Sequence, residues 1–532
     1  MNTQVVYWLM WTWIRWMKET NQKQPKLPLL RQPEGEKLNK RMIQYYKRAG
    51  IIGCLFLCCF GSKAFADDQQ WKFDALTQKA YDLALNLKFK EVHELITDAQ
   101  TAQELYVVSL AEAIELLLEE DGEKYTEYQS AFEKRKDRKT KLNSPDDLFL
   151  QAELAIQWSF VYFKFGHEFD AALNLRDAYS ITSALRKRYP KYVAIKKTAA
   201  LLEIIVGSVP EKYNWVLSLL NIEGSVDVGL KLFDDVHQAA SPLILEADLL
   251  HALVLCYILQ QPQAALTAVR SLQVEHEGHP LVLFLGASVA IKDSKGELAL
   301  TMLNKLEAIR TSTRLDYADY LLGEVYLCKA EYLNSISAYR SFLANYKGQN
   351  NIKDANYKIG LCYYLNGNSS DAISTFKLAR NTGKEVTEGD KYAARSLSED
   401  ELPHPLLTKA RYSIDGGYYD KAKLILDSIR PADIPTARDQ VEFFYRRARL
   451  EHKLNQVEAA TADYKKVIEL NVNSPWYFAP NSSLQLGYIH LANNETKAAE
   501  QYFEMALSYK KHEYKNSIDT KARSALDQIK RK

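Results

Sequence analysis

The side chains best suited to chemistry occur in short, isolated groups. One group is His276-Glu277-Gly278-His279, which has the residue types of a metal site. Zinc-binding helices place two histidines four residues apart on one face, whereas these are three apart, enclose a glycine and precede Pro280. This spacing predicts a loop. The sequence has no glycine-rich phosphate loop and no nucleophile elbow, so it predicts neither an enzyme nor a metal or cofactor site.

Two other groups leave an alternative open. Glu119, Glu120 and Asp121 form the densest acidic cluster, which we interpret as the surface end of a helix and not as an acid–base pair. Trp476-Tyr477, flanked by prolines, is the nearest candidate for an aromatic platform that stacks on sugars. These two groups leave open an enzyme with an unusual site, or a glycan-binding protein, as alternatives.

Composition and charge limit the classes of partner. The 69 basic and 67 acidic side chains leave a formal charge of +2, so no net field favours nucleic acid or an anionic membrane. Hydrophobic residues make up 47% of the chain, as in an ordered protein. Cys256, Cys328 and Cys362 lie far apart in apolar stretches, which predicts buried thiols and no zinc site.

A recurring spacing of small and aromatic residues indicates the architecture. From Gly360, a tyrosine follows after three residues, an alanine after twelve, a phenylalanine after sixteen and an alanine after nineteen. The stretch from Gly487 repeats most of this pattern, with His490 in place of the tyrosine. Further, weaker copies begin at Gly323, Ala448, Ala410 and Ala252.

The spacing fits a pair of helices. Apolar residues at intervals of three and four form a stripe on each helix, and the stripe must be buried against a neighbour. Small residues at the first and twelfth places let two backbones approach closely, while the large aromatic residue fills the space toward the next pair. Asn366-Gly367 and Asn493-Asn494 lie between the helices, where residues that tolerate positive φ close the turn.

This pattern resembles the tetratricopeptide repeat family. The resemblance implies an all-α fold, a right-handed solenoid of stacked helix–turn–helix repeats. Adjacent copies here are 37 to 39 residues apart, which is longer than the family's usual repeat of about 34. We expect divergent helical repeats over 67–240, clearer repeats over 241–380, a polar linker and hinge over 381–405, and C-terminal repeats over 406–532.

The resemblance also implies a concave groove, lined by the first helix of each repeat, that binds a protein or peptide. The residues expected to line it are Tyr317, Tyr320, Glu324, Tyr357, Leu361, Tyr364, Leu484 and Tyr488. Family members that bind acidic chaperone tails use a clamp of Lys, Asn and Arg, but the matching positions here are largely aromatic and apolar. Only the repeat around Ala448, with Arg449, His452 and Lys453, is basic.

The N-terminal region has the three parts of a secretory signal. Lys47 and Arg48 precede an apolar run over Ala49–Phe60, and Ala64-Phe65-Ala66 offers small residues to a signal peptidase. The run of 12 residues is short of the ~20 needed to span a bilayer. The sequence therefore predicts a cleaved signal peptide over 42–66.

Residues 1–41 are interpreted as an extension upstream of a true start at Met42, or alternatively as an amphipathic membrane segment with tryptophans at the interface.

The leading expectation is an exported, periplasmic adaptor or scaffold of the cell envelope that associates with an envelope or secretion complex. The alternative function is an envelope enzyme with an unusual site, or a glycan-binding protein. An uncleaved, membrane-anchored N-terminus and a secreted protein are the alternatives for its location.

Overall fold

The computed structural model describes residues 70–137, 144–209, 217, 222–309, 314–399, 401–471 and 474–531. The expected signal peptide and the segment before it lie outside these ranges. Within them the chain forms 24 α-helices and no β-strand, so the all-α prediction is confirmed. Most consecutive helices pack as pairs, and each pair contacts the next to form a solenoid. None of the described helices is both long and apolar enough to cross a membrane.

Eight helices form the N-terminal part of the solenoid. They are α1 (Ala75–Leu85), α2 (Phe89–Leu95), α3 (Ala102–Glu119), α4 (Gly122–Asp137), α5 (Pro145–Lys164), α6 (Glu168–Arg188), α7 (Ile195–Gly207) and α8 (Val226–Gln238). Aromatic rings fill much of this core: Trp158 stacks on Phe132 with 4.4 Å between ring centroids, and Trp71 meets Phe149 edge-on at 4.8 Å.

The middle part contains the clearer repeats. Its helices are α9 (Ile244–Leu253), α10 (Pro262–Glu275), α11 (Pro280–Lys292), α12 (Gly296–Ala308), α13 (Asp316–Lys329), α14 (Tyr332–Asn345), α15 (Ile352–Leu365) and α16 (Ser369–Asn381). The predicted close approach within each pair is present, because a Cβ on Gly360 would lie 2.7 Å from the Phe376 ring and one on Gly323 would lie 2.6 Å from the Tyr339 ring. A methyl group does not fit at either position.

The segment assigned to a polar linker contains a helix, α17 (Glu388–Ser398). Thr387 caps its start together with Asp390. The buried Asp390 carboxylate also accepts hydrogen bonds from the backbone N–H groups of Asn351, at 3.0 Å, and Asp354, at 3.1 Å. These bonds fix α17 to the start of α15, so the segment is a packed element of the solenoid.

The C-terminal repeats consist of α18 (Pro405–Asp415), α19 (Tyr419–Asp427), α20 (Ala437–Lys453), α21 (Val457–Leu470), α22 (Phe478–Ala492), α23 (Thr496–Ser508) and α24 (Lys515–Arg531). They pack back onto earlier repeats, since α18 contacts α13. The Gly296 N–H donates to the Gly416 carbonyl at 3.0 Å, and Lys421 Nζ donates to the Lys329 carbonyl at 2.7 Å. The α18–α19 pair is thereby joined to the turns of two pairs much earlier in the sequence, α11–α12 and α13–α14.

The repeat register predicts where bulk is excluded. Ala372 and Ala499 are buried at the helix contact, so leucine at either position should lower the free energy of unfolding by about 1–3 kcal/mol, measured by urea denaturation. Ala459→Leu is the matched control, because Ala459 is exposed beside the buried Ala460 on α21. Unchanged stability in both buried-site variants would contradict the register.

Candidate functional site

Four of the residues expected to line an open groove are buried. Tyr320, Tyr357, Leu361 and Leu484 expose only 7, 3, 1 and 1% of their surface. The Tyr357 ring lies 5.7 Å from the ring of Phe376 within the same helix pair. The prediction that these four residues line an accessible groove is therefore wrong. Their side chains are buried in contacts between helices, where a partner cannot reach them.

The other four expected groove residues are more accessible but mostly engaged. Tyr317 stacks on Tyr320 at 5.2 Å, and the Tyr364 hydroxyl donates to the Pro403 carbonyl at 3.2 Å. Glu324 forms an ion pair, described next, and is half-buried. Tyr488 is 36% exposed, and partial burial raises the pKa of its hydroxyl to about 12. A partner at these positions stays a prediction.

A buried ionic centre occupies the inner face of α13 and α15. Lys358 Nζ lies 2.7 Å from Asp354 and 2.6 Å from Glu324, and the Tyr320 hydroxyl donates to Asp354 at 2.6 Å. Burial lowers the pKa of Lys358, but the two carboxylates outweigh it, so the pKa is raised well above its ordinary value. The ammonium is fully paired, and the centre holds helices together.

A second ionic centre lies in the N-terminal part. Lys197 of α7 pairs with Glu153 of α5 at 2.8 Å and with Glu246 of α9, and Tyr106 of α3 donates to Glu246. Burial alone would lower the pKa of Lys197, yet the carboxylates raise it. Four helices are joined at this point, and no cation is left for a ligand.

The Glu119–Asp121 cluster also joins distant parts of the chain. Glu120 and Asp121 are buried, which corrects their interpretation as a surface helix end. Glu120 accepts hydrogen bonds from the Tyr346 hydroxyl and from the Gln349 N–H, while Asp121 pairs with Lys347 at 2.6 Å. The cluster joins the α3–α4 corner to the loop after α14, so its charges are satisfied inside the protein.

The remaining sequence candidates lie in a turn and at the edge of the C-terminal core. His276 to His279 form the turn between α10 and α11, as predicted. Trp476 is half-buried against the C-terminal core, and the Tyr477 hydroxyl accepts a hydrogen bond from Arg446 at 3.0 Å. Across the described ranges, no group of His, Cys, Asp and Glu side chains could hold a metal ion.

One cavity differs from the two paired centres. It has a volume of about 410 Å³ and opens between the inner helices α20, α22 and α24. We call it the cationic cavity; its walls are Tyr445, Arg449, His452, Lys453, Tyr464, Asn481, Leu484, Gln485, Tyr514, Ser517, Ile518 and Lys521. Its size is within the range of ligand pockets. It combines aromatic rings with basic groups and amides, which suits an anionic ligand.

The charges of the cationic cavity are only partly balanced. Arg449 pairs with Asp415 at 3.3 Å, whereas Lys453 and Lys521 form no ion pair with any carboxylate in the described part of the chain. Both lysines are exposed on more than a third of their surface, yet the surrounding walls still remove water and lower their pKa values, and Arg449 lowers them further. An anion would relieve this repulsion.

Sequence reasoning found only part of this site. Arg449, His452 and Lys453 stood out as the one basic repeat, but Lys521 did not. Lys521 lies on α24, after the last copy of the repeat pattern, so no spacing related it to α20. Burial lowers the pKa of His452, and the neighbouring Lys453 and Arg449 lower it further; its Nδ1 lies 3.5 Å from the Tyr464 hydroxyl.

Comparisons with known proteins agree with the helix-pair architecture. Residues 445–515 match the tetratricopeptide repeat family model, and this range contains most of the cationic cavity. No curated protein matches the sequence.

Among solved structures, the human IFIT1 dimer with m7Gppp-AAAA is 13% identical, with 86% of this chain and 95% of that chain covered and a TM-score of 0.31. The APC/C hetero-tetramer Cut9–Hcn1 is 12% identical, with 85 and 95% covered and a TM-score of 0.25. At these values the likeness says nothing about ligands.

The burial of the expected groove residues predicts how they respond to truncation. Tyr357→Ala should lower the free energy of unfolding by about 3–5 kcal/mol, as for other buried aromatic residues. Tyr488→Ala is the comparison, because its larger exposure should make its loss clearly smaller. Urea denaturation of both variants measures the difference, and equal losses would contradict the packing described for α15.

Proposed function

The chain carries tetratricopeptide repeats, and we propose that it is an adaptor that binds an acidic segment of a partner protein along the inner surface of its C-terminal repeats. Its role is binding, without catalysis. The observation that supports this proposal is the unbalanced charge of the cationic cavity. The paired centres at Lys197 and Lys358 have no such excess, so they offer no comparable attraction to an acidic segment.

The neighbourhood of the cavity extends the surface that a segment would follow. Arg411 of α18 lies 4.9 Å from the Tyr392 ring and donates to the Tyr392 hydroxyl at 2.6 Å. Arg446 of α20 is buried and paired with Glu442 at 2.6 Å, so it does not add to this surface. Arginines over aromatic rings and basic side chains on neighbouring inner helices favour an extended acidic chain, and rigid aromatic contacts add binding energy at low entropic cost.

The proposal predicts a loss of binding when the unpaired lysines are neutralised. Lys453→Gln with Lys521→Gln should weaken binding of an acidic peptide about tenfold or more, because two charge-assisted contacts are lost. Lys465→Gln is the control, since Lys465 is exposed on α21 and does not line the cavity. Titration calorimetry on the folded proteins measures the affinities.

Two results would overturn this function. One is an acidic peptide that binds no better than a peptide in which Gln and Asn replace Glu and Asp. The other is an equal loss of affinity in the control and the double variant, which would indicate a general charge effect. Raising the salt concentration should also weaken binding, since both lysines are solvent-exposed.

We propose further that the adaptor acts in the cell envelope after export, in association with an envelope or secretion complex. The signal-like segment over 42–66 supports this location. N-terminal sequencing of the protein from its host should then find Asp67 as the first residue, in the periplasmic fraction. Retention of the apolar run Ala49–Phe60 in the isolated protein would contradict cleavage.

A further inference from the structure

The positive charge of the cationic cavity comes from Arg449, Lys453 and Lys521. Arg449 is balanced by Asp415, which leaves the ammonium groups of Lys453 and Lys521. Asp293 and Asp415 lie near enough to raise the pKa of Lys453, but burial, Arg449 and Lys295 act in the opposite direction and the pKa is lowered. Lys521 likewise has Lys292 and Arg449 as charged neighbours and no acidic one that offsets them. The cavity therefore presents two ammonium groups that have no carboxylate in ion-pair contact within the described residues.

The two lysines come from different helices and border one cavity. Lys453 lies at the end of α20 and Lys521 lies within α24, and both line the same space. A single carboxylate would compensate one of them. A phosphomonoester carries a charge of about −1.5 to −2 at pH 7 on one compact group with three acceptor oxygens, so it can compensate both.

Neutral donors are available for the remaining phosphate oxygens. Gln485 Nε2 donates to Asn481 Oδ1 at 3.1 Å, which occupies the Asn481 oxygen and leaves its amide nitrogen as a donor. The Ser517 hydroxyl lines the same space. The buried Tyr445 and Tyr464 rings form part of the wall, and 410 Å³ exceeds what a bare phosphate needs. The space suits a phosphate ester with an attached organic group.

We propose that the cationic cavity is a site for a phosphomonoester dianion, held by Lys453, Lys521 and Arg449 with Asn481 and Ser517 as neutral donors. The inference goes beyond the adaptor function, because it concerns the bound group and not the acidic segment. The same chemistry can come from a small phosphorylated metabolite or from a phosphorylated side chain of a protein.

The test compares phenyl phosphate with phenyl methyl phosphate, using calorimetry on the full mature chain. The diester has the same ring and phosphorus but one negative charge less. Phenyl phosphate should bind at least about tenfold more tightly, the scale of one charge-assisted contact. The double variant Lys453→Gln with Lys521→Gln should lose this preference, whereas Lys465→Gln should keep it, with thermal midpoints close to the parent's.

A phosphotyrosyl peptide distinguishes the two sources. Binding much tighter than phenyl phosphate indicates a phosphorylated protein, and binding of similar strength indicates a small molecule. Equal affinity for the monoester and the diester, or a preference that survives in the double variant, would overturn the proposal. If the monoester preference is absent but an unphosphorylated acidic peptide still binds, the phosphomonoester site is wrong and the adaptor function stands. The failure of one proposal is therefore distinguishable from the failure of the other.

Discussion

The structure depends on one contact, a small residue of the first helix against an aromatic ring of the second. At Gly323 and Gly360 the ring is so close that a Cβ would lie less than 3 Å from it. Gly487 has the same relation to Phe503. Because these distances exclude any side chain, they fix how near the two backbones come and where the next pair can stack. The separation of the inner helices follows from this contact.

Because the inner helices pack closely, a charged side chain between them needs an oppositely charged partner. Lys197 and Lys358 are buried and survive as charges only because two carboxylates surround each of them. A buried cation without such partners would be strongly disfavoured. Lys453 and Lys521 differ from these two, because they border the cationic cavity and keep contact with water.

The sequence correctly predicted the features that depend on residues close together in the chain. The small and aromatic residues of a pair lie sixteen positions apart, so one stretch from Gly360 sufficed to predict the pair, its turn and its buried alanines. The predicted lining of the groove was wrong at residues such as Tyr357, because the direction of such a side chain depends on how neighbouring helices pack. Likewise, Glu120 is buried by a loop 226 residues away, a partner that no local pattern reveals. Lys521 was missed for the same reason.

The central claim is that binding takes place at the open inner face of the C-terminal repeats and not along the packed inner helices of the middle repeats. Hydrogen–deuterium exchange of the full mature chain, with and without a saturating acidic partner peptide, tests it most directly. The account predicts slower exchange in α20, α22 and α24 and no change in α13 and α15. Protection concentrated in α13 and α15, with α20 and α24 unaffected, would contradict it.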